Sequence, residues 1–171
     1  MLGAHLMPPS SPLSAPSDFD FIIGHWRVRH RRLNARLCGC TQWTEFEGRT
    51  TTRKILGGFG NVEDNVLSFP DGEVRAAAFR SFNPATRTWA IWWLSDRAPH
   101  TLDVPVVGNF TDDVGLFYAE DRLEGRPIKM RFIWQVRPGG NPTWEQAFSA
   151  DDGVTWETNW TMEFERIQET L

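Results

Sequence analysis

A chain of 171 residues is long enough for one domain with a true hydrophobic core. Nine Trp and 12 Phe against a single Tyr mark an interior or a concave surface rich in rings. A net charge of −4 argues against a nucleic-acid partner, and no apolar run reaches the roughly 20 residues that a membrane span needs.

Residues 1–17 carry four prolines among serines and small residues, a composition expected to form a disordered tail. They lack the basic-then-apolar arrangement of a secretory signal. The folded domain is expected over 18–171, with one short helical turn near Phe19–Ile23. The first strand, near 25–33, alternates Trp26, Val28 and His30 on one face with Arg27, Arg29 and Arg31 on the other. The arginines read as a solvated outer face. Cys38-Gly39-Cys40 follows, an isolated pair that makes neither a disulfide framework nor a metal site, so reduced thiols and a cytoplasmic setting are expected.

Turn chemistry then divides the chain. Strands are expected near 41–53, 61–68, 74–82, 86–94, 107–111, 115–123, 128–136, 143–150 and 154–166. Pro70-Asp71-Gly72, Asn83-Pro84, Glu124-Gly125 and Asp151-Asp152-Gly153 supply turns, and Gly57-Gly58-Phe59-Gly60 a bend. Such a series of hairpins predicts an all-β fold, a single antiparallel up-and-down barrel of about ten strands. In the last strand Trp156, Thr158, Trp160, Met162, Phe164 and Arg166 share one face, read as interior. With every connection a hairpin, Arg166 lies at the same barrel end as Trp26, and a guanidinium on an indole would close the barrel there.

Gly24-His25-Trp26 on the first strand with Arg166 on the last resembles the Gly-x-Trp and packing Arg of lipocalins. Ten strands are closer to the fatty-acid-binding and nitrobindin-like barrels of the same calycin group. Over 18–166 the chain also resembles a bacterial family of domains of unknown function, through Phe19-Asp20-Phe21-Ile22-Ile23-Gly24-His25-Trp26, Phe82-Asn83-Pro84-Ala85-Thr86, Trp89-Ala90-Ile91-Trp92-Trp93 and Trp156-Glu157-Thr158-Asn159-Trp160. The resemblance implies a calycin-like barrel and assigns no activity.

Candidate site residues follow from strand parity, because an inward polar side chain needs a partner. His30 follows Trp26 and Val28. Asp64 shares a face with Val62 and Val66, Gln146 with Trp144 and Phe148, and Thr158 lies between Trp156 and Trp160. Arg80, if inward, pairs with Asp64 or holds an anion. Trp93, Trp134, Trp156 and Trp160 would form the wall. Trp92 then points outward, a possible homodimer surface. The loop 95–106 is the natural lid of the mouth opposite Trp26. His100 there, or Asp64, is the candidate acid or base. Three readings result. The first is a binding barrel for a small hydrophobic or aromatic molecule, with no cofactor. The second is a barrel enzyme performing acid–base isomerisation, cyclisation or lyase chemistry. The third is a haem or nitric-oxide binder using His30 or His100.

Overall fold

The computed structural model describes residues 13–168. The expected tail therefore falls, over residues 1–12, outside the described residues, as does His5. Ten strands form one sheet closed on itself: β1 (Gly24–Leu33), β2 (Trp43–Ile55), β3 (Gly60–Phe69), β4 (Gly72–Asn83), β5 (Thr88–Ser95), β6 (Val106–Thr111), β7 (Val114–Leu123), β8 (Arg126–Gln135), β9 (Thr143–Ser149) and β10 (Glu157–Arg166). Every neighbour in the chain is a neighbour in the sheet, and β1 pairs with β10 antiparallel to complete the ring. Closure removes both sheet edges, so among the described residues no strand is left free to template aggregation. No helix among the described residues is long and apolar enough to cross a membrane.

Closure rests on a direct cross-strand pair. Trp26 lies opposite Arg166, whose guanidinium carbon sits 4.1 Å from the centre of the Trp26 ring. Arg166 also donates to the carbonyls of Ile23 (2.9 Å) and Phe21 (3.1 Å). Gly24 permits this. Its φ is +122°, and a Cβ there would come within 2.5 Å of Arg166 Nη1. The preceding 3₁₀ turn, Asp20–Ile22, is folded onto the barrel end, and Trp26 Nε1 donates to the Ile22 carbonyl at 2.8 Å. Phe19 and Ile22 are fully buried there, with Phe19 edge-on to Trp89 and Phe110 at 5.0 Å. This segment plugs one end of the barrel.

Two strands depart from the expected facing. In β3 the side chains of Asn61, Glu63, Asn65 and Leu67 are buried, while Asp64 is exposed. The expected inner face is therefore the outer one: Val62 and Val66 lie half-buried outside, and the polar set lies inside. The cause is Arg80, which is inward as one alternative had it. It is 3 % exposed and salt-bridged to Glu63 at 2.8 Å, so the buried cation brings the carboxylate one position away from Asp64 indoors. In β10 a bulge shifts the register between Thr158 and Trp160. N-terminal to it the parity flips. Glu157 pairs with Phe148 and Thr158 with Ala147, while Asn159 is completely buried. Trp156 is thereby placed on the outer face, against the Arg131 guanidinium (4.4 Å) and the exposed Tyr118 ring (6.1 Å), not in the wall.

Candidate functional site

Inside the barrel lies a cavity of about 310 Å³. Its lining runs from Glu63, Arg80 and Trp134, above the Phe19 plug, to Arg32, Arg36, Asp103 and Leu123 at the opposite rim. The rim residues come from the ends of β1 and β7 and from the connections 34–42 and 96–105, so the mouth is at the end away from Trp26. A larger depression of about 640 Å³ adjoins the rim outside, around Glu120, Pro127, Lys129 and Asp152. The Lys129–Asp152 ion pair that crosses it has Asp152 88 % exposed, which makes it a solvated groove and not a binding interior.

The wall is aromatic and soft. Trp93, Trp144, Trp160, Phe132, Met130 and Met162 line it. Trp160 stands edge-on to Trp93 (6.3 Å) and Trp144 (5.9 Å). It is held from behind by His30, whose Nδ1 accepts the Trp160 indole N–H at 3.2 Å. His30 stacks on Phe46 at 4.6 Å, nearly parallel. Burial lowers its pKa to about 3, so the ring is neutral. Its Nε2 points at Gly48, where a Cβ would be 2.6 Å away, so glycine supplies the space for the imidazole. His30 is thus a support for Trp160 and does not line the cavity.

At the floor, Arg80 lies between Phe19 (5.1 Å) and Trp134 (5.5 Å) and donates to Asn61 and Glu63, both at 2.8 Å. Thr52 completes the set with a bond to Glu63 at 3.3 Å. Gln146, on the lining, donates to Asn159 at 2.8 Å. At the rim, the Arg32 guanidinium covers the Trp160 ring at 4.9 Å. Burial, then repulsion from Arg36 and Arg97, lowers its pKa to about 10. Burial also lowers that of Arg36, opposed by Glu157. Across the mouth, burial and the nearby Asp121 raise the pKa of Asp103.

Of the residues singled out in the sequence, Arg80, Trp93, Trp134, Gln146 and Trp160 converge on this cavity. Four others do not. Asp64 is exposed on the outside. Thr158 follows Trp156 toward the outer face, because the bulge reverses parity. His30 stands behind the wall. His100 is exposed in an outer groove with Phe79, Trp92, Pro99 and Leu102. The loop 95–106 therefore divides. Its first half folds against outward Trp92, and only Asp103 and Val104 reach the cavity. Asp96 is engaged by the Arg75 backbone N–H at 3.0 Å.

Sequence reading missed Glu63 and Arg32. Both signals were present. Alternation from Trp26, Val28 and His30 extends to Arg32, and an inward Arg80 demands a carboxylate at an inward position of β3. Arg36, in a connection, carries no periodic signal. No protein-family model matches the chain, and no curated protein matches it.

Proposed function

We propose that this protein binds a small apolar or aromatic organic molecule inside the barrel. The observation that carries this is the cavity itself, lined by the indoles of Trp93, Trp134, Trp144 and Trp160, the thioethers of Met130 and Met162 and the phenyl rings of Phe132 and Phe148, with one end plugged and the other open. Packed interiors leave few voids larger than a water molecule. A cavity of about 310 Å³ is at the small end of ligand pockets, which run from roughly 300 to 1,000 Å³. On the wall and at the floor the polar side chains are engaged, Gln146 by Asn159 and Arg80 by Glu63 and Asn61, while the remaining charged groups, Arg32, Arg36, Asp103, Asp121 and Arg122, gather at the rim. Flexible Met130 and Met162 let the wall adapt to an occupant.

This reading groups the chain with the calycin-like barrels, supported by the closed ten-strand ring and the Trp26–Arg166 contact. A cytoplasmic setting belongs to the same reading and is supported by the free thiols of Cys38 and Cys40. Acid–base chemistry on the bound molecule would fall to Asp103, at the rim with a raised pKa, and not to His100 or Asp64, which stand outside. A haem does not fit the described histidines. His30 gives Nδ1 to Trp160 and turns Nε2 to Gly48, His25 bonds Thr51 on the outer face, and His100 is outside the barrel.

The test is calorimetric titration with a panel of naphthalene-sized alcohols, amides and acids, together with thermal melts. A ligand that binds only the native state raises the melting temperature by mass action. Trp160→Leu should weaken binding, and the outer-face variant Glu163→Gln should not. Absence of binding by the whole panel, with the barrel folded, would overturn the proposal.

A further inference from the structure

The hydrogen-bonding demand left open by the cavity is one-sided. Among the described residues, six buried side-chain polar atoms have no partner. Four belong to residues that line the cavity: Arg32 Nε, Arg36 Nε, Arg80 Nε and Trp134 Nε1. All four are N–H donors, and buried donors without acceptors are costly to leave unmet. An occupant that relieves them must present acceptors.

Charge separates the two ends. At the floor, Arg80 already has Glu63 at 2.8 Å, so that pair is neutral overall and calls for an uncharged acceptor. At the rim, the only charges that perturb Arg32 are the cations Arg36 and Arg97, and the described residues offer Arg32 no ion pair. Glu157 offsets part of the Arg36 charge, but it also accepts the Leu37 backbone N–H at 2.7 Å. Arg97 lies near Asp71 at 3.7 Å, and its guanidinium covers Phe69 on the same side of the mouth. The carboxylates Asp103 and Asp121 stand on the other lip. One side of the mouth therefore holds two half-buried guanidiniums, Arg32 and Arg36, against the single carboxylate of Glu157, an excess of one positive charge directly over the aromatic wall.

We propose that the bound molecule is a hydrophobic acid, its ring system against Trp160 and Trp144 and its carboxylate between Arg32 and Arg36 at the mouth. This rests on the binding reading above and names the ligand class. Planar guanidiniums match carboxylate geometry, and the surrounding rings keep water from screening the contact.

The test compares 1-naphthoate with 1-naphthamide, which share a ring system and nearly a shape but differ by one charge. Calorimetric titration of wild type should show naphthoate binding tighter by about ten- to a hundredfold, the range for a charge-assisted hydrogen-bonded contact. In the Arg32→Gln, Arg36→Gln double variant the preference should collapse to within about threefold, with amide affinity retained. The amide arm also reports that the cavity is intact. Arg27→Gln, on the exposed outer face of β1, should keep the full preference. Equal affinity of the two ligands for wild type, or a preference that survives in the double variant, overturns the acid assignment and leaves the binding reading standing. Failure of both ligands while another panel member binds overturns the acid assignment alone, and failure of the whole panel on folded wild-type protein overturns the binding reading, and the acid assignment with it.

Discussion

Acidification should weaken this barrel through one histidine. His30 has a folded-state pKa of about 3 because it is buried, against 6.5 for the free side chain. Below pH 6.5 the unfolded chain takes up a proton that the folded chain refuses, so stability falls as pH drops from 6.5 toward 3. Each pH unit in that window is worth about 1.4 kcal/mol for one proton. Lowering the pH to 5 crosses about 1.5 units and removes about 2 kcal/mol. Protonation would also force a charge against Phe46 and abolish the acceptor for the Trp160 N–H. Urea unfolding of wild type and His30→Gln at pH 7 and pH 5 isolates the effect. Glutamine keeps an acceptor for Trp160 and cannot titrate, and the static cost of the substitution cancels in the difference between the two pH values. Wild type should lose about 2 kcal/mol more than the variant over this interval. Equal losses would refute the assignment of His30 as a buried neutral imidazole.

Two further perturbations probe the frame around the cavity. Trp26→Ala removes a ring that is 3 % exposed together with its bond to Ile22, and should cost about 3–5 kcal/mol in denaturant unfolding. Arg166→Ala should lose less, mainly packing over that ring, and values near zero for both would mean that β1 and β10 are not locked at this pair. Glu63→Leu strands the buried Arg80 and should cost about 3–5 kcal/mol, whereas the double change with Arg80→Met should recover most of the loss. A double variant as unstable as Glu63→Leu alone would show that the buried pair is not the source of the cost.

Much of this frame was legible in the chain. Asp71-Gly72, Glu124-Gly125 and Asp152-Gly153 place glycines at positive φ between strands, and the hairpins fall there. The closing pair was legible because every connection is a hairpin, which returns the end of β10 to the barrel end where β1 begins, and the β10 bulge lies well before Arg166. The candidate site was legible only in part. Gln146, Trp134 and Trp160 lie in stretches where alternation holds. Asp64 was misread because apolar-in alternation presumes an apolar interior, and β3 faces the cation of Arg80 with Asn61 and Glu63. Thr158 and Trp156 were misread because a one-residue bulge leaves no mark in composition yet reverses every side chain beyond it. His100 was misread because a connection has no period. Pro99, His100 and Leu102 share an outer groove with Trp92, while Asp103 and Val104 line the cavity.

The central claim is that the barrel interior is the binding site, and filling it is the most direct test. Ala78 is buried on β4, opposite Glu63 and Trp93 in the sheet, and lines the cavity. Its replacement by phenylalanine has the cavity to grow into, so Ala78→Phe should remain folded, by far-ultraviolet circular dichroism and cooperative melting. Calorimetric titration of this variant with the tightest ligand of the panel should then show affinity lowered by at least about tenfold relative to wild type, because ring and ligand compete for one space. Unchanged affinity in a folded Ala78→Phe barrel would contradict the account and move the binding site to the outer surface.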